Sequence, residues 1–499
     1  MTPADVQRVA QAYLKPDNRT VVAFQPVDKP DRAEIPEAPD AQSLVRDYKG
    51  SQKVAEGEAF DATPAVIDAR SQKGALANGM RLTLLPKRTR GGVVQGTLLL
   101  RFGTEQTLRG QRVAQAVTTA LLDRGTRDRS RQAMKDTLDK LKVNIGFNGS
   151  PGVLAASFNA KRETLVPALR LLAEIVRRPA LDSTELEKLR TERLAQLEAA
   201  RSEPQAIVFT AVGRVGAVTD PQHPRYEPSI EEEIADWKAI GAAPLRAFHA
   251  RFYGARNGDL GLVGDFDADS VRALAQSLFG DFTSSEPWVM VPDPYQRSDS
   301  TLVNVETPDK ANAVFAAVQT VRLSDGDPDY AAMQIAGEIL GGGFLKSRMA
   351  DRLRQKDGLS YGVGSFLQVS PGDSAGKLIT FAIYAPQNLD RLQLGVREEL
   401  DRFVRDGVTA EELEAARTGW LRGRQQSYAN DNELVGLMTS RRRWNRTFTG
   451  YDLALEQQVR TLTVADVNAA IRKYVDPKQT VIIRAGDFDG ARKKAAATP

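Results

Sequence analysis

The residue types that carry hydrolytic or metal chemistry are scarce in this chain. Its 499 residues include no cysteine and two histidines, His223 and His249, which lie 26 positions apart. A two-histidine zinc helix has its histidines four residues apart on one face, so no H-x-x-E-H motif can be written here. The composition also excludes disulfides, thiolate metal sites and cysteine nucleophiles. We expect His223 in a loop and His249 on a helix, either in its packing or at its surface, and neither in catalysis.

The charge balance does not favour a nucleic-acid partner. The net charge is only +4, and the nearest approach to a basic, aromatic tract, residues 441–446, is interpreted as a solvated helix end. No apolar run approaches the ~20 residues of a membrane helix, and no signal peptide is predicted at the N-terminus. The localisation stays open between the bacterial periplasm and the cytoplasm, since an absence of cysteine suits both.

A helix–turn–strand pattern occurs three times and predicts a duplicated domain. The first and last copies, residues 2–24 and 463–484, share a threonine cap, an aspartate in the first turn and an apolar stripe of helical spacing. The middle copy begins its stripe at Leu245, 239 residues after Val6 and 222 residues before Val467. We expect the first copy to be the end of a preceding repeat, and the chain to be part of a longer polypeptide.

Element composition and linkers predict the fold class. Paired strands alternate with long helices, which is typical of α+β tandem domains, each an antiparallel-type sheet with helices packed on one face. Stretches rich in proline and charge predict the linkers. The expected order is the C-terminal helix and strand of a preceding repeat (1–26), a linker (27–72), a first domain (73–283), a linker (284–300), a second domain (301–490) and a tail (491–499).

Several segments of the chain resemble the pitrilysin/insulinase-type zinc metallopeptidases, the inverzincin family that includes mitochondrial processing peptidase. The order of Leu108-Arg109-Gly110, a helix, Arg124-Gly125-Thr126 and a second helix is similar to the family's zinc-helix region, and residues 78–86 resemble a domain opening. The resemblance covers nearly the whole chain and points to the family's C-terminal, non-catalytic half. It implies tandem peptidase-like domains in two halves that close as a clamshell.

The resemblance places a degenerate zinc helix at residues 116–120. Ala116 and Ala120 stand in place of the two histidines, and Thr119 stands in place of the glutamate base. Alanine cannot ligate a metal, and Glu198, near the place of the family's third ligand, could not hold a catalytic zinc alone. We therefore expect no metal and no cofactor in this chain, and zinc in the catalytic partner half.

The resemblance also assigns residues of the second domain to an active site completed by another half. Arg354 and Tyr361 match a family arginine and a tyrosine seven residues later, whose guanidinium and phenol can donate to a transition-state or substrate carbonyl oxygen. From the residues alone, a helix-terminal arginine and a core tyrosine explain the pair as well. A preceding glycine-rich turn is either a helix C-cap or the family's substrate-handling loop, and its residues are Gly341, Gly342, Gly343 and Phe344.

The function expected from the sequence is that of a non-catalytic, substrate-enclosing half or subunit of a zinc metalloendopeptidase acting on peptides or unfolded polypeptides. We expect it to be inactive alone. Its expected partners are a zinc-bearing peptidase half or subunit and a peptide substrate, with no nucleic acid and no membrane span. The alternative is a structural or peptide-binding subunit with no hydrolytic role. A peptidase active alone would need a metal site that these motifs do not supply.

Overall fold

A computed structural model divides the chain into two units, residues 1–53 and 54–499. The described part of the first unit contains one helix, α1 (Pro3–Tyr13), followed by a 3-10 turn. Thr2 and Asp5 form a capping box at the start of α1, as the repeat predicts. The residues that the structure describes are 2–22, 56–343 and 346–497.

The strands of the second unit form two sheets. Their bounds are β1 (Gln72–Ala75), β2 (Arg81–Pro86), β3 (Val93–Arg101), β4 (Asn144–Ser150), β5 (Val153–Lys161), β6 (Asp259–Gly264), β7 (Leu302–Glu306), β8 (Ala313–Val321), β9 (Ser360–Val369), β10 (Gly376–Tyr384) and β11 (Val481–Gly486). Sheet A has the order β1-β2-β6-β3-β5-β4, and sheet B has the order β7-β11-β8-β10-β9.

The two sheets repeat one topology. Without β1, sheet A reads β2-β6-β3-β5-β4, and sheet B follows the same sequence of connections. In each sheet the first of these pairings is parallel and the other three are antiparallel. The α+β fold class and the duplication are thereby confirmed.

Helices separate and cover the strands of the second unit. Their bounds are α2 (Pro64–Arg70), α3 (Arg112–Ala120), α4 (Arg131–Leu141), α5 (Leu165–Arg177), α6 (Ser183–Ala200), α7 (Pro204–Arg214), α8 (Ile230–Ala239), α9 (Ala242–Phe252), α10 (Ala268–Phe279), α11 (Tyr330–Gly337), α12 (Leu389–Asp406), α13 (Ala410–Ala429), α14 (Asp431–Arg443), α15 (Ala454–Thr461), α16 (Val464–Tyr474) and α17 (Phe488–Ala497). Among the described residues, three π-helical segments lie between them, at Glu338–Gly342, Ala350–Lys356 and Phe448–Leu453.

Each sheet packs one face against the helices of its own repeat. In sheet A the predicted stripe of α9 is buried, with Leu245, Phe248 and Phe252 in the main core. In sheet B the equivalent stripe of α16 is buried as well, with Val467 and Ile471 in the core. Burial of such apolar stripes is the main source of stability for these layers.

The opposite face of each sheet receives a helix from the other repeat. Helix α7 packs Val208 and Val212 against β8 and β11 of sheet B. Helix α14 lies across β3 and β6 of sheet A, where a Cβ on Gly261 would come within 2.5 Å of Thr439. This exchange of helices holds the two repeats together. Helical periodicity does not predict the exchange, because it identifies an apolar stripe and not the element that packs against it.

The end of the predicted first linker, residues 27–72, belongs to the second unit and forms regular structure there. Helix α2 lies within residues 56–72, and its Ile67 is fully buried beside Leu85 and Tyr428. No described helix is both long and apolar enough to cross a membrane.

Candidate functional site

The degenerate zinc-helix positions all lie on α3 and present no metal ligand. Ala116 is exposed and Ala120 is half-buried. Thr119 is 8% exposed, and its hydroxyl donates to the Gln115 carbonyl at 2.9 Å, within the helix. Since these side chains offer no carboxylate, imidazole or thiolate, they do not fit a zinc ion.

Helix α3 instead has a bracing role that the sequence analysis missed. Buried Gln115 donates from Nε2 to the Ser150 carbonyl at 2.5 Å, and its Oε1 accepts the Gly152 N–H at 3.3 Å. One amide therefore satisfies main-chain groups in the turn between β4 and β5. The only sequence signal was a glutamine in the apolar stripe of a helix.

The remaining candidate ligands are engaged elsewhere. Glu198 forms an exposed ion pair with Arg201 at 3.0 Å. His249 donates from Nε2 to the Val176 carbonyl at 2.9 Å, and burial lowers the pKa of His249. His223 accepts the Arg225 N–H at 3.1 Å through Nδ1. Across the described residues, no group of three or more His, Cys, Asp or Glu side chains is placed to hold a metal ion.

Arg354 and Tyr361 stand on either side of one turn in the second repeat. Arg354 lies in the π-helical segment that ends at Lys356, and it is half-buried. The turn is closed by the Leu359 N–H, which donates to the Leu353 carbonyl at 2.8 Å. Tyr361 is the second residue of β9, which is an edge strand of sheet B.

A β-bulge displays Tyr361. Ser360 pairs with Tyr384 and Gly362 pairs with Ile383, which leaves Tyr361 without a cross-strand partner. The Ser360 hydroxyl donates to the Ile383 carbonyl at 2.7 Å and fixes this irregularity. The Tyr361 residue is 59% exposed, so the core-tyrosine interpretation was wrong. Bulges commonly re-aim a side chain beside a functional site.

The glycine-rich turn packs directly against β9. Gly341 is the penultimate residue of a π-helical segment, and a Cβ at this position would lie 2.2 Å from the Ser365 nitrogen. A Cβ on Gly342 would meet the Glu338 carboxylate at 2.6 Å, and one on Gly343 would meet the Lys346 carbonyl at 3.0 Å. Close backbone approach therefore accounts for glycine at Gly341. Phe344 lies outside the described residues.

A cleft of about 530 Å³ adjoins this turn. Its wall includes Gly343, Gln355 and Arg348, and Arg348 makes two 2.7 Å contacts with the Glu412 carboxylate. Burial raises the pKa of Glu338, which lies in the same wall. The structure thus brings the glycine turn and the strand of Tyr361 together, and places Arg354 next in sequence to a cleft residue.

Comparisons with known proteins agree with this architecture. Residues 239–419 match the family model described as the peptidase M16 inactive domain. The crystal structure of a peptidase M16 inactive domain from Pseudomonas fluorescens superposes with a TM-score of 0.73 at 24% identity, covering 83% of this chain and 97% of that one. The periplasmic protease PqqL from Escherichia coli superposes with a TM-score of 0.67 at 15% identity, covering 97% of this chain and 50% of that one.

A curated sequence relative carries a peptidase name. An uncharacterized zinc protease of Rickettsia bellii (strain RML369-C) is 24% identical over 327 residues, which is 63% of this chain and 74% of that protein. The resemblance found in the sequence is thereby confirmed: residues 239–419 match a peptidase M16 inactive domain, and the chain resembles the non-catalytic half of the pitrilysin/insulinase-type zinc metallopeptidases.

Proposed function

We propose that this chain is the non-catalytic, substrate-enclosing half or subunit of a zinc metalloendopeptidase that acts on peptides or unfolded polypeptides. One contrast carries the proposal. Helix α3, which the resemblance assigns to the zinc helix, carries no ligand at the assigned positions, whereas a bulge in β9 holds the Tyr361 side chain out to solvent. The inactive-domain match over residues 239–419 supports the same division of labour.

The proposed chemistry of this half is electrostatic. Hydrolysis of a peptide bond places negative charge on the carbonyl oxygen, and donors aimed at that charge lower the barrier. The Arg354 guanidinium and the Tyr361 phenol would supply such donors, while the partner half would supply zinc and the general base. Edge strand β9 also offers unpaired main-chain groups to an extended polypeptide.

The first unit offers a surface for the partner. Helix α1 buries none of its residues, and its stripe residues Val6 and Tyr13 are 56% and 68% exposed. The equivalent stripes of α9 and α16 are buried in complete repeats. A partner domain of the same fold would cover the α1 stripe in the same way, which supports a zinc-bearing half as the partner.

Reconstitution tests the proposed function. The purified chain is mixed with a polypeptide that carries H-x-x-E-H and is encoded in the same or a neighbouring reading frame, and cleavage of a fluorogenic peptide is followed. We expect cleavage by the mixture above the sum of the separate chains, with zinc bound to the partner. A complex that binds peptide without increasing cleavage would instead establish the structural or peptide-binding role. One tight zinc in this chain alone would refute the proposal.

A further inference from the structure

Arginines gather around one buried carboxylate where the two repeats meet. Asp259 on β6 is 2% exposed and ion-pairs with Arg81 at 2.6 Å and with Arg101 at 2.7 Å. The Arg101 guanidinium lies 4.5 Å from the ring centroid of Trp288. Burial lowers the pKa of Arg101 to about 10, with Asp259 opposing the shift and the charges of Arg81 and Arg443 adding to it.

Two further arginines extend the positive charge beyond what Asp259 can balance. Arg443 is the last residue of α14, and burial followed by the charge of Arg225 lowers the pKa of Arg443, against an opposing effect of Asp259. The buried Arg443 Nε has no hydrogen-bond acceptor among the described residues. Arg225 donates twice to the neutral Val291 carbonyl, and its ion pair with Asp293 is long, at 3.9 Å.

Both of these arginines line a cleft of about 460 Å³ between the repeats. Hydroxyl groups from β4, from the turn after β9 and from α14 share its wall, and they belong to Ser150, Ser370 and Ser440. The Ser370 hydroxyl donates to the Asp293 carboxylate, so the hydroxyls of Ser150 and Ser440 are the ones offered to a ligand. Asp373 lines the cleft too, and its carboxylate accepts the Asp293 N–H at 3.0 Å. Guanidinium and hydroxyl groups are the donors with which proteins bind oxyanions.

We propose that this cleft binds an oxyanion, the carboxylate or phosphate group of a ligand, between Arg225 and Arg443. Like charges that are partly buried in one cleft repel each other, and an anion between them removes that repulsion. The helix dipole favours arginines in the last turn of α14, but it gives no reason to place Arg443 beside another arginine. The inference is independent of the proposed peptidase role.

Thermal unfolding of the full chain tests this site, with inorganic phosphate as the probe and ionic strength held constant with sodium chloride. We expect a saturable rise in Tm for the wild type and a phosphate affinity at least about tenfold weaker for Arg443→Gln. Arg442→Gln is the matched control, because the preceding residue on the same helix lines a different cleft. Without phosphate, Arg443→Gln should unfold at or above the wild-type Tm, because a repulsive charge is removed.

A second titration distinguishes the source of the oxyanion. Trialanine with a free C-terminal carboxylate is compared with trialanine amide under the same conditions. A rise in Tm with the free acid alone assigns a peptide carboxylate, and a rise with phosphate alone assigns a phosphate-bearing ligand. The proposal is overturned if neither anion raises the wild-type Tm, or if Arg443→Gln responds to the active anion as strongly as the wild type and Arg442→Gln do.

Discussion

The two sheets share one topology, but their equivalent edge strands, β4 and β9, differ in local structure. In sheet A, the regular helix α4 leads into edge strand β4, and helix α3 beside it carries alanine at the two positions that the resemblance assigns to zinc-binding histidines. In sheet B, a π-helical segment leads into edge strand β9, whose bulge displays Tyr361. The first copy therefore has a regular backbone at this edge, whereas the second has an irregular backbone that presents a side chain.

The two copies also fasten their helices to the edge hairpin in different ways. The first copy uses the Gln115 amide, which bonds to main-chain groups of the β4–β5 turn. In the second copy, the backbone of Gly341 packs directly against β9 and leaves no room for a side chain. Packing therefore explains Gln115 and Gly341, and the proposed chemistry rests on Arg354 and Tyr361.

Crowding Gly341 should have the largest effect on stability. Gly341→Ala places a Cβ against the β9 backbone, and we expect the free energy of unfolding to fall by about 3 kcal/mol, at the upper end of overpacking costs. Gly419→Ala is the control, because a Cβ there meets nothing within 4 Å inside α13, and it should stabilise the chain by about 1 kcal/mol. Urea denaturation measures both. Equal effects would show that Gly341 is not constrained by β9.

Removing the brace in the first copy should cost less. Gln115→Ala leaves buried main-chain groups of the β4–β5 turn unpaired, and we expect a loss of about 2 kcal/mol in the free energy of unfolding. Gln132→Ala removes an exposed contact with Asp136 on α4 and should change stability by less than about 0.5 kcal/mol. If the two variants unfold alike in urea, Gln115 does not brace the hairpin.

Restoring ligands tests whether α3 has kept the geometry of a zinc helix. Ala116→His with Ala120→His places two imidazoles one turn apart on a partly exposed face. We expect zinc to stabilise this variant, by about 1.4 kcal/mol at ten times its Kd, and Ala116→His alone to gain far less. Differential scanning fluorimetry with zinc measures the gain. An equal response of the single variant would show that α3 does not present the two positions together.

The smallest expected effect is on the pH dependence of stability, through Glu338 beside the glycine-rich turn. Because burial raises the pKa of Glu338 in the folded chain, the native state keeps its proton to higher pH than the unfolded state does. Stability is therefore expected to fall as pH rises from the ordinary value of 4.5 through the raised pKa. Glu338→Gln should lack this fall in urea titrations across that range. A parallel pH dependence in both proteins would contradict the burial of this carboxyl.

The sequence predicts the repeats well because they depend on local pattern. The Thr463 and Asp466 capping box and the buried stripe of α16 follow directly from residue spacing. The exchange of α7 and α14 does not, since spacing identifies an apolar face and not the surface that covers it.

The candidate site was only partly predictable for the same physical reason. The expectation of a lost ligand at Ala116 depends on the resemblance to the family together with the residue type, and it stays a prediction. The bulge at Tyr361 depends on the register between β9 and β10, and the pairing of Asp259 with Arg81 and Arg101 joins residues far apart in the chain. Such long-range contacts have no local signature in the sequence.

The turnover of a reconstituted enzyme tests the central claim most directly. We expect Arg354→Ala and Tyr361→Phe each to lower kcat with little change in KM, and the double variant to lose about 10²- to 10³-fold, the usual cost of removing transition-state donors. Lys356→Ala, an exposed charge in the same π-helical segment, should keep wild-type kcat. Wild-type kcat in the double variant, with assembly and zinc content intact, would contradict the account.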